Sequence, residues 1–256
     1  MLFYLGTHEP GWLATVDVPL FISRQRLAGR KRFPRAKGSW ALDSGGFTEL
    51  RKGGWTLAPR DYAAEVRRYQ AEIGRLAWAA PQDWMCEPIV LRGGTLNGVR
   101  FVGTGLSVAE HQRLTTANLL ELRTLAPDVP WTPVLQGWCA GDYYDHWEAY
   151  AKAGIDLQKE PLVGVGSVCR RQSTLSASLL MTRLASDGLK LHGFGFKIVG
   201  LRSIGGQQLA SADSLAWSAN ARKNPPLPGH SHKSCSNCLE WALDWRREML
   251  ASIGRA

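Results

Sequence analysis

The sequence predicts an α/β protein built on a mostly parallel sheet, and three observations predict it. Short apolar or β-branched runs recur along the 256 residues, helix-like segments separate several of them, and many runs end in glycine or polar tips. The length suits this class, because one α/β barrel occupies about 250 residues. With 45% hydrophobic and 21% charged residues, the chain can build a sizeable core and lacks the signature of disorder. No apolar run reaches the ~18–20 residues of a membrane span, and MLFYLGTHEP carries acid and proline where a secretory leader needs apolar length. A soluble, cytoplasmic protein with no membrane contact is expected.

Taken in order, the first runs are residues 2–5 and 20–23. The stretch LAGRKRFPRAKG, 27–38, is dense in cations and reads either as a solvated loop or as a phosphate-contacting one. Run 40–42 leads into Asp43-Ser44-Gly45-Gly46, where the glycines permit a sharp turn or a close backbone approach to a flat ligand. Asp43 there either caps the turn or carries chemistry. A helix over 59–73 is predicted from its leading proline, and run 76–80 ends at Gln82-Asp83. Helices over 108–125, 143–153 and 173–185 then alternate with runs 132–135, 162–165, 189–195 and 209–212. The tips of these later runs include Gln136-Gly137, Gly166-Ser167 and Ser211-Ala212-Asp213. In a parallel barrel the carboxyl ends of the strands form one rim, so such tips would converge. A doubly wound sheet also places ligands at strand ends, and periodicity leaves both architectures open.

Asp43 and Asp213 at separate strand ends can divide labour, one attacking an electrophilic carbon and the other moving a proton. Substitution at a sugar carbon needs such a pair, because it passes through an oxocarbenium-like state. Near the C-terminus, His230, His232, Cys235 and Cys238 lie within nine residues. A Cys-x-x-Cys grips one ion through two thiolates, and the imidazoles complete a tetrahedral zinc shell. A redox Cys-x-x-Cys is the rival, which the paired histidines and a helix over 239–250 disfavour. Four protein ligands leave no open position, so the zinc would be structural. Cys86, Cys139 and Cys169 read as packed thiols, and Trp78, Trp131 and Trp147 as core. The formal charge of +9 points toward a polyanionic partner.

WALDSGGFTEL, APQDWMCEP, TGLSVAEHQ, PVLQGW, VGVGSVCRRQ, HGFGFK, SADSLAWS and the His/Cys cluster, in that order, resemble the deazapurine DNA modification transglycosylases of phages and bacterial modification islands. These are a branch of the tRNA-guanine transglycosylase superfamily, and the matched motifs span nearly the whole chain. The resemblance implies a (β/α)8 TIM-like barrel as a single domain over 1–256, with a zinc-binding knuckle and helix at about 229–256. It implies exchange of guanine in DNA for a 7-deazaguanine such as preQ0 or a derivative, without ATP or an organic redox cofactor. Asp213 would be the nucleophile and Asp43 the general acid/base. Asp83 and Gln136 would bind the base edge, aided by Gly137 and by backbone at Gly166 and Ser167. Phe47 would stack on the base, and His192 stands where the tRNA enzymes often have a methionine on its other face, or is simply a hydrogen-bonded histidine at a strand end. Where those enzymes carry Val-Gly-Glu, this chain has Cys169-Arg170-Arg171. The two arginines suit a nucleic-acid backbone, or else cap a helix or pair with acids. Location in a host cytoplasm follows if the protein is phage-encoded, and a homodimer or accessory modification proteins stay open. Other readings are tRNA-guanine transglycosylation, a non-catalytic nucleic-acid-binding zinc protein on a degenerate barrel, and a glycoside hydrolase, which needs no base-edge set.

Overall fold

A computed structural model describes residues 1–253. In chain order the strands are β1 (Leu2–Thr7), β2 (Leu20–Ser23), β3 (Trp40–Asp43), β4 (Leu76–Ala79), β5 (Gly94–Leu96), β6 (Val99–Phe101), β7 (Val134–Leu135), β8 (Val163–Val165), β9 (Leu191–Gly193) and β10 (Ser211–Ser214). Each of the eight apolar runs contains or overlaps one strand of a single eight-stranded sheet, ordered β4-β3-β2-β1-β10-β9-β8-β7. All of its pairings are parallel. The two outer strands approach each other through a parallel bridge between Ala79 and Trp131. There the Ala79 amide donates to the Pro130 carbonyl and the Thr132 amide to the Ala79 carbonyl, both at 3.0 Å. The sheet is therefore curled and TIM-like, not the open doubly wound alternative. β5 and β6, which the sequence reading did not anticipate, form a separate antiparallel hairpin.

Short helices α1 (Arg24–Leu27) and α2 (Gly46–Leu50) follow β2 and β3. α3 (Pro59–Ile73) begins on its proline, whose missing N–H costs nothing in a first turn. Tyr62, Val66, Tyr69 and Ile73 form its buried stripe at helical spacing. α4 (Pro88–Arg92) precedes the hairpin, and α5 (Val108–Leu125) matches its predicted bounds. Ser107 caps α5 by accepting from the Glu110 amide at 3.1 Å. α6 (Ala140–Lys152) starts earlier than predicted because the Asp142 carboxylate accepts from the Trp138 and Cys139 amides at 2.7 and 2.9 Å. α7 (Leu175–Ser186) starts slightly later than predicted, behind a Thr174 cap. α8 (Ile198–Leu201), α9 (Ile204–Gln207), α10 (Ala216–Ala221) and α11 (Leu239–Ile253) complete the α-helices among the described residues, and a 3-10 helix spans Pro10–Ala14. Residues 254–256, the end of the expected 229–256 segment, lie outside the described residues.

Alternation along the strands sorts the core into two parts. Phe3, Leu5, Leu20, Ile22, Trp40 and Leu42 join the large cluster beneath the helices. Tyr4, Phe21, Ala41, Trp78 and Ala80 form a second cluster, with Phe194 against it. The register sets Phe21 beside Ala41, Ala41 beside Trp78, and Tyr4 beside Asp213, so these side chains share one face of the sheet. That face is filled by rings, as barrel interiors are filled by side chains. Trp78 and Trp131 are buried and Trp147 packs against the large cluster, as expected.

The basic stretch 27–38 leaves the end of α1 and is tied down over residues 31–37, against the far end of α3. Ala36 donates to Ile73 at the end of α3, Lys37 donates to Leu13, and Arg68 donates to the Lys31 carbonyl. Arg68 also lies over the Phe33 ring at 4.8 Å. This placement favours the loop reading over a phosphate contact at the site. Among the described residues, no helix is long and apolar enough to cross a membrane.

Candidate active site

The tips of β3, β4, β7 and β8 surround one cavity. Asp43, Phe47, Asp83, Gln136, Gly166 and Ser167 all line it, together with Glu87, Cys169 and Phe194. Its volume is about 100 Å³. Phe47, 43% exposed, is the lining residue most open to solvent.

Asp43 closes β3 in register with Ser23. Burial pushes its carboxyl above the usual range, the Ser23 hydroxyl and Gly45 amide oppose the rise, and the Asp213 charge adds to it. Gly45 then turns the chain with φ of 83°, a left-handed conformation that suits glycine, and starts α2. Asp83, after β4, is raised to about 7 by burial and by the neighbouring Asp43 charge. The Gln136 side-chain amide donates to it at 2.5 Å and the Ser44 hydroxyl at 3.2 Å.

Gln136 is gripped on all sides. Its main-chain amide donates to Nδ1 of His146 at 2.8 Å, and its carbonyl accepts from Gln112 at 2.9 Å. Burial drives the His146 pKa down to about 3, so the ring is neutral, and its Nε2–H points to the Thr116 hydroxyl at 3.2 Å. The Gln136 side chain lies directly across Gly166, where any Cβ would overlap it. Gly137 is a close-packing position instead: a Cβ there would meet Asp142 and Tyr143 of α6 at 2.8 and 2.9 Å.

Ser167 holds a left-handed conformation with φ of 56°, unusual for a side-chain-bearing residue and costing about 1–3 kcal/mol. Its hydroxyl compensates by accepting from the Cys86 amide at 2.7 Å and reaching Gln136 Oε1 at 2.7 Å and Glu87 Oε2 at 3.0 Å. One proton faces two acceptors, so an occupant with a donor satisfies the acceptor left over. Glu87, 3% exposed, was not anticipated as a site residue. It places a carboxylate beside Ser167 from the β4 side, close to where the tRNA-type pattern lost its glutamate after β8. The apolar-run reading could not find it, because its partners lie 80 residues away or more.

Asp213, in β10, is buried beside the cavity but not in its wall. The Gly195 amide donates to its Oδ1 at 2.9 Å, and His192 Nε2 lies 3.3 Å from the same oxygen. A carboxylate only accepts, so His192 carries its proton on Nε2 and takes the Ser211 hydroxyl on Nδ1 at 2.9 Å. His192 is 0% exposed and packs edge-on against Trp78 and Phe194 at 4.6 and 4.7 Å. It thus supports Asp213 from behind, and the ring that this strand end brings to the cavity wall is Phe194, two residues on. The aromatic–glycine alternation of HGFGFK was the sequence signal for it. Arg170 reaches Glu87 at 3.3 Å and lies over the Phe47 ring at 4.8 Å. Arg171 donates to Tyr143 Oη at 3.0 Å and lies over Trp138 at 4.7 Å. Both arginines are thus engaged at the rim by intramolecular partners.

Away from the cavity, His230, His232, Cys235 and Cys238 gather between α10 and α11, with one ligand atom from each within 4.8 Å of all the others. They could hold a metal ion.

A curled parallel sheet with acids gathered at its carboxyl ends defines a TIM-like barrel protein, a class whose enzymes carry their chemistry at the strand tips. Over residues 1–255 the chain matches the family model described as DpdA, DeoxyPurine in DNA protein A, and it belongs to that family of tRNA-guanine transglycosylase-like, deazapurine DNA modification proteins. Membership implies a transglycosylase-type enzyme with DNA as substrate. No curated protein matches the chain.

Proposed function

We propose that the protein exchanges guanine in DNA for a 7-deazaguanine, preQ0 or a derivative, through a covalent aspartyl-deoxyribosyl intermediate on a single domain. The observation that carries this reading is the convergence of Asp43, Asp83, Gln136 and Ser167 on one cavity, with Asp213 next to Asp43.

The target nucleotide must leave the stack to reach such a cavity. The Asp213 carboxylate then attacks C1′ while the bond from C1′ to N9 breaks. The bonding pair stays on the departing guanine, and Asp43 supplies its proton. In the second half the incoming base gives its N9 proton to Asp43, N9 attacks C1′, and Asp213 leaves as a carboxylate. A raised Asp43 pKa suits both duties, because it must hold a proton once and accept one later. Asp83 accepts from the N1–H and 2-amino donors of either base, Gln136 and Ser167 take the next polar positions, and Phe47 and Phe194 flank the ring. Arg170 and Arg171 hold backbone phosphate once DNA displaces their present partners.

Zinc is the metal that the His/Cys cluster suits. Around a tetrahedral ion with bonds of about 2.0–2.3 Å, ligand atoms stand about 3.3–3.8 Å apart. Here the His230 Nδ1 to His232 Nε2 separation is 3.2 Å, His232 Nε2 to Cys235 Sγ 3.0 Å, and Cys238 Sγ to His230 Nδ1 3.7 Å. Glu240 takes the other ring nitrogen of His230 at 3.1 Å, as carboxylates commonly orient metal-bound imidazoles. Bound zinc would supply structure only.

Incubating purified protein with preQ0 and either duplex DNA or unmodified tRNA, followed by nucleoside mass spectrometry, tests the proposal. A deazaguanine deoxynucleoside is expected from DNA. A ribonucleoside from tRNA alone would overturn the choice of polymer.

Two further results are expected at the base pocket. Only the ionised Asp83 can accept from both donors, so base binding should tighten as pH rises from about 6 to about 8. Asp83→Asn should flatten that dependence, measured as KM for the base. The stability effect runs the other way. The folded pKa of about 7 lies above the unfolded value of about 3.9, so this group's contribution to folding is present at low pH and lost as pH rises through about 7. Gly166→Ala should push Gln136 aside and raise KM for the base about tenfold or more while the circular dichroism spectrum is unchanged. An unaltered KM would show that Gln136 does not contact the base.

A further inference from the structure

The β5–β6 hairpin and its flanks occupy the connection between β4 and α5, so they stand on the same rim as the cavity. Their inner side is built into the pocket wall. Phe101 packs with Leu50 and Val90, Met85 lies against this cluster and also lines the cavity, and Phe101 meets the Phe47 ring edge-on at 5.3 Å. The outer side is different. Val102 is 64% exposed, and its amide is fixed by the Arg51 carbonyl at 3.0 Å. From Pro88 to Ala109 the chain holds no acid, and it carries Arg92 and Arg100, both exposed. The nearby ion pairs, Lys52 with Glu49 and Arg170 with Glu87, involve neither. An apolar projection flanked by unneutralised guanidiniums, next to a pocket mouth, suits a polyanion that presents a gap between stacked bases.

We infer that this hairpin is the surface that grips DNA around an extruded nucleotide: Arg92 and Arg100 take backbone phosphates, and Val102 enters the gap that the flipped base leaves. The inference rests on the reading of the pocket as a base-exchange site and adds the element that keeps the duplex open. Phosphate contacts release counterions, so each contributes to the salt dependence of binding. Wedge side chains stabilise unstacked steps, so their contribution is greatest where the target base is still paired.

The test uses the full chain, a fluorescent duplex read by anisotropy over a salt series, and base-exchange rates. Arg92→Ala/Arg100→Ala should weaken binding about tenfold near physiological salt and reduce the slope of log K against log salt by about 2. Val102→Ser should keep the slope but lose turnover on a fully paired duplex about tenfold more than on one whose target guanine is mispaired. An unchanged affinity and slope in the double variant, or an equal loss on both duplexes for Val102→Ser, would overturn the inference. Wild-type protein that binds DNA with the arginine-dependent slope yet exchanges no base would support the surface and defeat the base-exchange reading. Wild-type protein with no affinity for DNA would defeat both.

Discussion

Asp213→Asn should abolish base exchange, with a loss of at least about 10⁴-fold, while DNA binding stays within about twofold of wild type. The substitution is isosteric. The oxygen that accepts from Gly195 and contacts His192 can be kept as the amide oxygen, so the local structure has no reason to change. What is removed is the negative charge that would form the bond to C1′. A second readout separates chemistry from binding: wild-type protein quenched during turnover should carry DNA covalently through denaturing electrophoresis, and the variant should not. Asp43→Asn should behave differently, slowing turnover by about 10²–10⁴ through loss of proton transfer. Undiminished turnover in the Asp213 variant would remove the nucleophile assignment and with it the covalent mechanism.

If the His/Cys cluster holds zinc as proposed, its loss should be almost as damaging, though to stability. Cys235 is fully buried, accepts from the Leu227 amide at 3.4 Å and lies within reach of both histidines. The segment it anchors also accepts the Ser218 hydroxyl of α10 on its Ser236 carbonyl and leads into α11, which contributes Ala242, Trp245 and Met249 to the main core. Removing a bound ion would leave two cysteines and two imidazoles without their common partner and α11 without that tie at its start. Cys235→Ser is expected to cost about 3–5 kcal/mol, or a fall in Tm on the order of 10 °C for a chain of this size. Elemental analysis together with thermal denaturation, with and without chelator, checks this. Purified protein with less than about half an equivalent of zinc and a Tm indifferent to chelator would exclude a structural metal.

The strands were legible because each crosses a buried layer and so must be apolar over several residues, and because residues such as Asp43, Gln136 and Ser167 follow those runs directly. Two strands gave no such signal. β5 and β6 are three residues each, interrupted by glycine and polar side chains, and depend on the satellite cluster of Leu50, Val90 and Phe101 for their burial. The start of α6 was hidden for another reason: Asp142 caps from inside the helix, so no residue in the usual capping position announces it. Roles within the site were harder than positions. His192 and Phe194 share the inner face of the sheet, and which of them meets the cavity depends on how deep the rings of Tyr4, Phe21 and Trp78 fill the barrel. Glu87 becomes visible only once β4 and β8 are brought together around Ser167. Sequence order carries neither fact, because both are set by contacts between strands far apart in the chain.

The rings of Tyr4, Phe21 and Trp78 that fill the inner face of the sheet have a kinetic consequence. They pack against Ala80 and Phe194 at the inner end of the pocket, while Phe47, 43% exposed and lying under Arg170, stands at its solvent side. In the proposed exchange the departing base would leave on the side by which its replacement arrives, so the two would not pass each other inside. Released base that lingers at the threshold blocks the newcomer, and turnover should therefore slow as that product accumulates, even with replacement base in excess.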